Sequence, residues 1–293
     1  MGTSCEIQLF CPSKPLANAV INTVITDIQR LEKHYSRYLA DSLLSKINQI
    51  AAVSGSIKVD AETASLLDYA ATCYQQSDGL FDITSGILRR VWRFEQRQLP
   101  EQSLIDDLLS KVGWDKLDWQ APHLNFSVAG MELDFGGIVK EYAADRAATL
   151  CRNAGIEHGV INLGGDIKII GPRPDGRPWR VGLGKPQTGK ENRQILIAMQ
   201  QGGIASSGDY ERCMVIDGVR YSHILNPNTG WPVNYLAAVS VVADFCVVAG
   251  SASTIAMLKQ EDGPAWLESL GLAHFWIDTE GNQGGNLELI ECP

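Results

Sequence analysis

Apolar residues recur three or four positions apart in several stretches of the chain, as they do on one face of an amphipathic helix. The clearest stripe predicts a helix over 16–35 and consists of Leu16, Val20, Val24, Ile28 and Leu31. The same spacing predicts helices over 61–76, around Ile87, Val91 and Trp92, and over 100–112, 137–153, 247–259 and 263–270. Gly155 follows the fourth of these at the position of a glycine C-cap.

Runs of alternating or continuous apolar residues between the helices predict β-strands. They cover 4–10, 115–133, 159–171, 177–184, 194–200, 202–216, 219–225 and a closing hairpin around 276–281. Asp217-Gly218 predicts a two-residue hairpin turn that sets 216 opposite 219 and 212 opposite 223. Because the elements interleave without regular βαβ units, we predict an α+β fold of mixed, largely antiparallel sheets packed with helices. We expect a single domain over 1–293, with two interlocked α/β lobes as the alternative.

Composition narrows the functional classes. The 293 residues carry a formal charge of −9 and no Lys/Arg cluster, which argues against a nucleic-acid surface. No run of about 18 apolar residues is present, so no membrane span is expected. Seven cysteines without a C-x-x-C pair indicate reduced thiols. As sequenced the protein is expected in the cytoplasm, and in the periplasm if a leader was removed.

Residues 134–145, DFGGIVKEYAAD, place a lysine in the first turn of a predicted helix. A helix N-terminus carries partial positive charge, so a cation there costs roughly 0.3–1 kcal/mol unless an anion docks beside it. Lys140 therefore indicates an anion site. The alternative is a lysine whose ammonium extends into solvent.

Other motifs also have two interpretations. Residues 184–190, GKPQTGK, match P-loop spacing, but Glu191 replaces the Ser/Thr that holds magnesium and Pro186 removes an amide, so we interpret them as a hairpin loop. NLGGDI at 162–167 predicts either a β-bulge or a close backbone approach to a ligand. Asp82 and Asp209 are turn or cap residues if they are not functional, and His223 is otherwise a core residue.

Taken in order, several stretches resemble the FAD:protein FMN transferase family, also called the ApbE-type flavin transferases, over nearly the whole chain. They are MGT at 1–3, SRYLADSLLSKIN, SDGLFDITSG, LDFGGIVKEYAADRA, INLGGDI, PWRVGLGKP, ASSGDYER, RYSHILNPNTGWPV and VVADFCVVAGSASTIAML. The resemblance implies an ApbE-like fold and an enzyme that transfers FMN from FAD to a Ser or Thr hydroxyl of an acceptor protein. It also implies release of AMP and assistance by Mg²⁺.

The resemblance assigns roles by motif position. His223 is the residue expected to deprotonate the acceptor hydroxyl, with Asp209 as a second catalytic candidate. The Gly137 carbonyl and Thr254 match metal-ligand positions, and Ser253 is a weaker oxygen ligand beside them. Tyr38 is expected to line the flavin site. The other expected cofactor-binding residues are Met1, Phe81, Asp82, Ile83, Asp134, Lys140, Gly164, Gly165, Asp166 and Ile224.

Two departures from the family pattern change the charge of the expected site, because Gly250 removes a metal-ligand carboxylate and Glu141 adds negative charge near the pyrophosphate. The family has an aspartate metal ligand where this chain has Gly250, and a glycine where it has Glu141. Loss of a charged ligand is expected to weaken metal binding by at least about 10- to 100-fold. The alternatives to transfer are therefore an FAD-binding protein or a slow FAD pyrophosphatase with a degraded metal site, and Gly250→Asp is expected to raise metal-dependent turnover.

Overall fold

The elements of the fold are known from a computed structural model, which describes residues 3–183, 195–208 and 213–290. Its α-helices are α1 (Lys14–Tyr35), α2 (Leu43–Ala51), α3 (Ala61–Gln76), α4 (Gln102–Leu109), α5 (Val139–Asn153), α6 (Cys246–Lys259) and α7 (Gly263–Ser269). Its strands are β1 (Cys5–Phe10), β2 (Ser56–Lys58), β3 (Leu117–Gln120), β4 (His123–Phe126), β5 (His158–Leu163), β6 (Asp166–Gly171), β7 (Trp179–Gly182), β8 (Leu196–Met199), β9 (Gly203–Gly208), β10 (Cys213–Ile216), β11 (Val219–Ser222), β12 (Leu236–Ala243), β13 (Ala273–Asp278), β14 (Gln283–Gly285) and β15 (Leu289–Ile290).

A seven-stranded sheet forms the centre of the molecule, in the order β1-β5-β6-β9-β12-β13-β14. Two three-stranded sheets, β15-β8-β7 and β2-β4-β3, and the hairpin β10-β11 complete the described β-structure. Neighbouring strands pair antiparallel throughout these sheets. The predicted α+β class with largely antiparallel sheets is therefore confirmed.

Helix α1 shows how sequence pattern becomes packing. Its N-cap Ser13 accepts a hydrogen bond from the Leu16 amide, and Pro15 lies in the first turn. The side chains that it buries include four of the predicted stripe, Val20, Val24, Ile28 and Leu31. The apolar spacing therefore identified the face of α1 that packs on the core.

Helix α5 begins at Val139 and ends as its sequence predicts. Gly155 has a φ of +80°, and its amide donates to the Arg152 carbonyl. The Ile156 amide donates to the Cys151 carbonyl. These two bonds form a Schellman motif, so the predicted glycine C-cap is confirmed.

Two local predictions differ from the structure. The segment 43–51 is a separate helix, α2, with Ser42 as its N-cap. Strand pairing within 115–133 ends at Phe126, and β4 also pairs with the unpredicted strand β2.

The hairpin turn at 217–218 has the predicted register, with Ile216 opposite Val219. The predicted pairing of 212 with 223 involves Arg212, which lies outside the described residues.

The buried apolar side chains form three clusters. The largest lies between α1, α2, α3, α5, α6 and the central sheet. A second lies where β7 and β8 pack on the sheet, and a third surrounds residues 83–94, α4 and the β10-β11 hairpin.

Six of the cysteines lie among the described residues and are free thiols. No helix in the described ranges has the length and apolarity that a membrane span requires. A single domain over 1–293 stays a prediction.

Candidate active site

The FDIT and LDFGG segments lie side by side. The Asp134 amide donates to the Ile83 carbonyl at 2.8 Å. The Phe81 ring lies against Gly137, where a Cβ would be 3.3 Å from Phe81 Cζ. Phe81 and Ile83 are buried, and they pack against the segment that leads into α5.

Lys140 does have an anionic partner at the start of α5. Its ammonium lies 2.5 Å from Asp166 Oδ2 and 3.9 Å from Glu141 Oε1, and 32% of the side chain stays exposed. Burial alone would lower the pKa of Lys140, but the negative charges of Asp166 and Glu141 raise it. The N-cap of α5, Ile138, supplies no side-chain hydrogen bond. A charged ammonium and an uncapped helix N-terminus therefore occupy the same place.

Glu141 is a buried carboxylate that sequence reasoning gave no ligand role. The residue is 6% exposed, and its Oε2 accepts no hydrogen bond from any described residue. Burial, followed by the negative charge of Asp166, raises the pKa of Glu141 to about 8. This residue has thus lost its hydration without gaining a full set of partners within the described chain.

Gly250 on α6 faces Glu141 on α5. A Cβ at position 250 would lie 2.5 Å from Glu141 Cγ, 3.1 Å from Cδ and 3.3 Å from Oε1. The two departures from the family pattern are therefore in direct contact. The Glu141 side chain fills the volume that a side chain at 250 would need.

A group of hydroxyls lies beside these residues. Ser207 Oγ on β9 is 2.8 Å from Ser253 Oγ and 2.9 Å from Thr254 Oγ1 on α6. Ser253 Oγ also donates to the Gly250 carbonyl at 2.9 Å. Ser207 belongs to the ASSGDYER stretch but was not predicted as a site residue, because nothing in the sequence indicates that β9 pairs its serines with α6.

The turn between β5 and β6 contains the glycine pair of NLGGDI. Leu163 pairs with Asp166, and Gly164 and Gly165 between them have φ of +65° and +94°. The prediction of a bulge here is wrong, because the two glycines form a two-residue hairpin turn. The turn places Asp166 at the start of β6, where its carboxylate meets Lys140.

Tyr38 is an exposed aromatic residue among the predicted site residues. Its side chain is 81% exposed, and the Arg37 guanidinium lies 5.6 Å from the centre of its ring. An aromatic ring left in water with a neighbouring cation is suited to stacking on a flat heteroaromatic ligand. Arg37 was missed by sequence reasoning.

Asp134 lies within a group of ion pairs. Arg37 contacts its Oδ2 at 2.7 Å and Arg89 contacts the same atom at 3.2 Å. Its Oδ1 accepts the Gly136 amide at 2.8 Å. Since arginine provides five donors, these two side chains keep capacity for further acceptors.

Asp82 has the structural role named as its alternative. It is the N-cap of a 3-10 helix, Ile83–Arg90, and its Oδ1 accepts from the Thr84 amide and hydroxyl, each at 2.7 Å. Its Oδ2 accepts from the Trp114 amide at 2.9 Å. Burial raises the pKa of Asp82 despite these bonds. Both carboxylate oxygens are therefore engaged within the protein.

His223 lies in a bend directly after β11 and not within the strand, and it is half-buried. The next residue, Ile224, is also half-buried, and its amide donates to Ser222 Oγ while its carbonyl accepts from the Val233 amide. Of the other predicted site residues, Met1 and Asp209 lie outside the described residues, as does the 184–190 loop.

A family model described as the ApbE family matches residues 1–276 of the chain. The chain belongs to the ApbE family. A Vibrio cholerae protein named FAD:protein FMN transferase is 30% identical over 279 residues, which are 92% of this chain and 82% of that protein. An Escherichia coli protein of the same name is 31% identical over 268 residues, 88% and 76% of the two chains. The crystal structure of an ApbE protein from Thermotoga maritima has 29% identity and a TM-score of 0.86, covering 97% of this chain and 94% of that one.

These comparisons confirm the family resemblance and the fold that it implied. The predicted class of enzyme, a flavin transferase, agrees with the names of the ApbE-family relatives. The geometry brings several predicted site residues and their neighbours to one location. The start of α5, the second turn of α6 and the adjoining ends of β6 and β9 bring together Lys140, Glu141, Asp166, Ser207, Gly250 and Thr254.

Proposed function

We propose that this ApbE-family protein transfers FMN from FAD to a Ser or Thr hydroxyl of an acceptor protein, with release of AMP and assistance by Mg²⁺. The observation that carries the proposal is the placement of the Lys140 ammonium at the uncapped N-terminus of α5, in a chain whose relatives are named for this reaction. Such a place favours a diphosphate, because the lysine charge and the positive end of the helix dipole act on the same oxygens.

The two ends of FAD require different surfaces. The exposed Tyr38 ring offers an aromatic face to the flavin. Lys140 stays partly exposed while it contacts Asp166, so donors remain for a phosphate oxygen. Asp166 holds the lysine side chain toward the start of α5, which fixes where the diphosphate binds.

The transfer step forms one phosphorus–oxygen bond and breaks another. The acceptor hydroxyl oxygen attacks the FMN phosphorus, and the bond from that phosphorus to the bridging oxygen breaks. AMP leaves with the bridging oxygen. In the proposal His223 accepts the proton of the hydroxyl, since an imidazole can act as a general base, and Asp209 is the second catalytic candidate.

The residues beside Lys140 suit a hard divalent cation. Glu141 Oε2 is a buried carboxylate oxygen that accepts no hydrogen bond from the described residues, and the Thr254 hydroxyl lies one helical turn beyond Gly250. Oxygen ligands of this kind are those that Mg²⁺ prefers. Thr254, Ser253 and the Gly137 carbonyl would hold the ion, which when bound would neutralise charge on the diphosphate.

The test uses intact-protein mass spectrometry and chromatography of nucleotides. The protein is incubated with FAD, Mg²⁺ and an acceptor protein on which the Vibrio cholerae relative, run in parallel, is active. We expect the acceptor to gain the mass of FMN with one AMP released for each transfer, and His223→Ala to abolish transfer while FAD still binds. AMP without labelled acceptor would indicate a pyrophosphatase, and FAD binding without AMP would indicate a binding protein. Either result contradicts the proposal.

A further inference from the structure

In this chain a residue on a different helix is placed to supply the carboxylate of the metal site. We propose that Glu141, on α5, supplies the carboxylate ligand for the divalent cation that the family pattern places at position 250, on α6. The identity of the cation rests on the proposed function. The proposed ligand, Glu141, stands at a position where the family pattern has no ligand.

The first argument is steric. Carbon atoms that are not bonded do not approach within 3.0 Å, yet a Cβ at 250 would lie 2.5 Å from Glu141 Cγ. Glu141 is buried against α6 and is therefore not free to swing aside. A glycine at 250 is required as long as Glu141 keeps this position. The converse also holds, because a glycine at 141 would leave that volume to a side chain at 250.

The second argument is the placement of the carboxylate. The Glu141 carboxyl carbon is 3.1 Å from the position of a Cβ at 250. An aspartate at 250 would hold its own carboxyl carbon one bond beyond that Cβ. The two carboxylates would thus reach the same region from opposite helices, and the chain can hold one of them at a time.

The third argument is the unused oxygen. Glu141 Oε1 has Lys140 at 3.9 Å, whereas Oε2 is buried and accepts no hydrogen bond within the described chain. A buried acceptor without a partner costs about 1–3 kcal/mol or more if it is charged. A cation bound at Oε2 removes that penalty, and it also offsets the negative charge of the Asp166 carboxylate that Glu141 faces.

The two other expected oxygen ligands are four residues away along the chain from Gly250 and Glu141. Thr254 follows Gly250 by four residues on α6, so its hydroxyl lies on the same face one turn along. Gly137 precedes Glu141 by four residues, in the turn that leads into α5. Lys140 and Asp166 form an ion pair beside this set at 2.5 Å, which keeps the ammonium directed to Asp166. The site therefore keeps one carboxylate, one hydroxyl and one carbonyl.

This assignment reverses an expectation drawn from the sequence. Gly250→Asp by itself is expected to lower metal binding, because the new side chain displaces Glu141 and places two carboxylates in one buried volume. The pair Glu141→Gly with Gly250→Asp is expected to restore binding, because it removes the overlap and moves the carboxylate to α6. Each single change is therefore deleterious, and the two together compensate.

The experiment measures Mn²⁺ binding directly, by the electron paramagnetic resonance signal of free Mn²⁺, with and without saturating FAD and with no acceptor present. The variants are Glu141→Gln, Glu141→Gly, Gly250→Asp and the double variant, with Glu157→Gln as the control because Glu157 is exposed beyond the end of α5. We expect Glu141→Gln and Glu141→Gly to weaken Mn²⁺ binding about 10- to 100-fold. We expect the double variant to recover most of that loss and the control to match the unmodified protein.

Thermal unfolding of every variant shows that it is folded, and Glu141→Gln keeps the shape of the side chain if a glycine variant unfolds. Equal Mn²⁺ affinity in Glu141→Gln and the unmodified protein would overturn the inference. So would a double variant that binds as weakly as Glu141→Gly, or an unmodified protein that binds no Mn²⁺ under either condition. FAD binding, measured on the same samples by quenching of flavin fluorescence, separates this inference from the proposed function. If FAD binding and transfer are normal but Mn²⁺ affinity does not depend on residue 141, this inference alone is refuted. If FAD does not bind, the proposed function is refuted.

Discussion

The start of α6 is held by a carboxylate from another helix, and removing its charge should destabilise the fold. Asp145 on α5 accepts the amides of Cys246 and Val247, each at 2.9 Å. The N-cap of α6, Phe245, supplies no side-chain hydrogen bond, and Asp145 also lies 3.3 Å from the buried Lys168 ammonium. The perturbation is Asp145→Asn, which keeps the size of the side chain and removes its charge.

The magnitude follows from these contacts. Asparagine keeps one acceptor oxygen, so one of the two amides of α6 loses its partner, and a hydrogen bond to a charged group contributes about 1.5–3 kcal/mol. Lys168 also loses its counter-charge in a place where its side chain is only 5% exposed, and breaking a buried ion pair costs about 3–5 kcal/mol. Because Lys168 keeps contacts with the Asp244 carbonyl and the Phe245 ring, we expect the total loss to be about 3–5 kcal/mol in the free energy of unfolding.

The assay is urea denaturation followed by circular dichroism, with the slope of the transition checked for constancy. Lys168→Met in the Asp145→Asn background should recover part of the loss, because it removes the uncompensated charge. The control is Asp175→Asn, where the aspartate pairs with an exposed arginine and no measurable change is expected. A loss below about 1 kcal/mol in Asp145→Asn, or no recovery on adding Lys168→Met, would refute the reasoning.

Three further predictions concern single positions. Tyr38→Ala should weaken FAD binding by about 0.5–1.5 kcal/mol in isothermal calorimetry, while the melting temperature stays unchanged because the ring is exposed; an unchanged affinity would exclude stacking. Gly164→Ala should lower stability in urea by about 1–3 kcal/mol, since its φ is +65° and a Cβ would contact the Thr3 side chain, and a stability equal to that of the unmodified protein would contradict the turn geometry. Hydrogen bonds from Arg30 lower the pKa of Glu62 from 4.5, so the stability from this pair is present above pH 4.5 and is lost as the pH falls through the lowered pKa. Glu62→Gln should therefore flatten the acid limb of a stability–pH curve, and an identical curve would show that the pair contributes nothing.

The sequence by itself determined the elements that depend on interactions between residues close together in the chain. The stripe of α1, the end of α5 at Gly155 and the register of the 217–218 hairpin follow from side-chain spacing and turn residues. The sequence also indicated that a cation at Lys140 needed an anion, since that argument uses only the helix that carries it. The helix α2 was missed because its apolar positions continue those of the preceding segment.

Only the tertiary structure decided which residues far apart in the chain come into contact. Asp145 and Cys246 are 101 residues apart in the chain, and nothing near either one indicates that a residue of α5 caps α6. Glu141 and Gly250 appear in the sequence as two unrelated departures, one adding negative charge and one removing a ligand. Their contact depends on how α5 and α6 pack on the central sheet, and it reverses the meaning of both. The sequence alone determines the helices because their forces act between near neighbours. The carboxylate that we propose as a metal ligand depends instead on the distance between two helices, which the whole core sets.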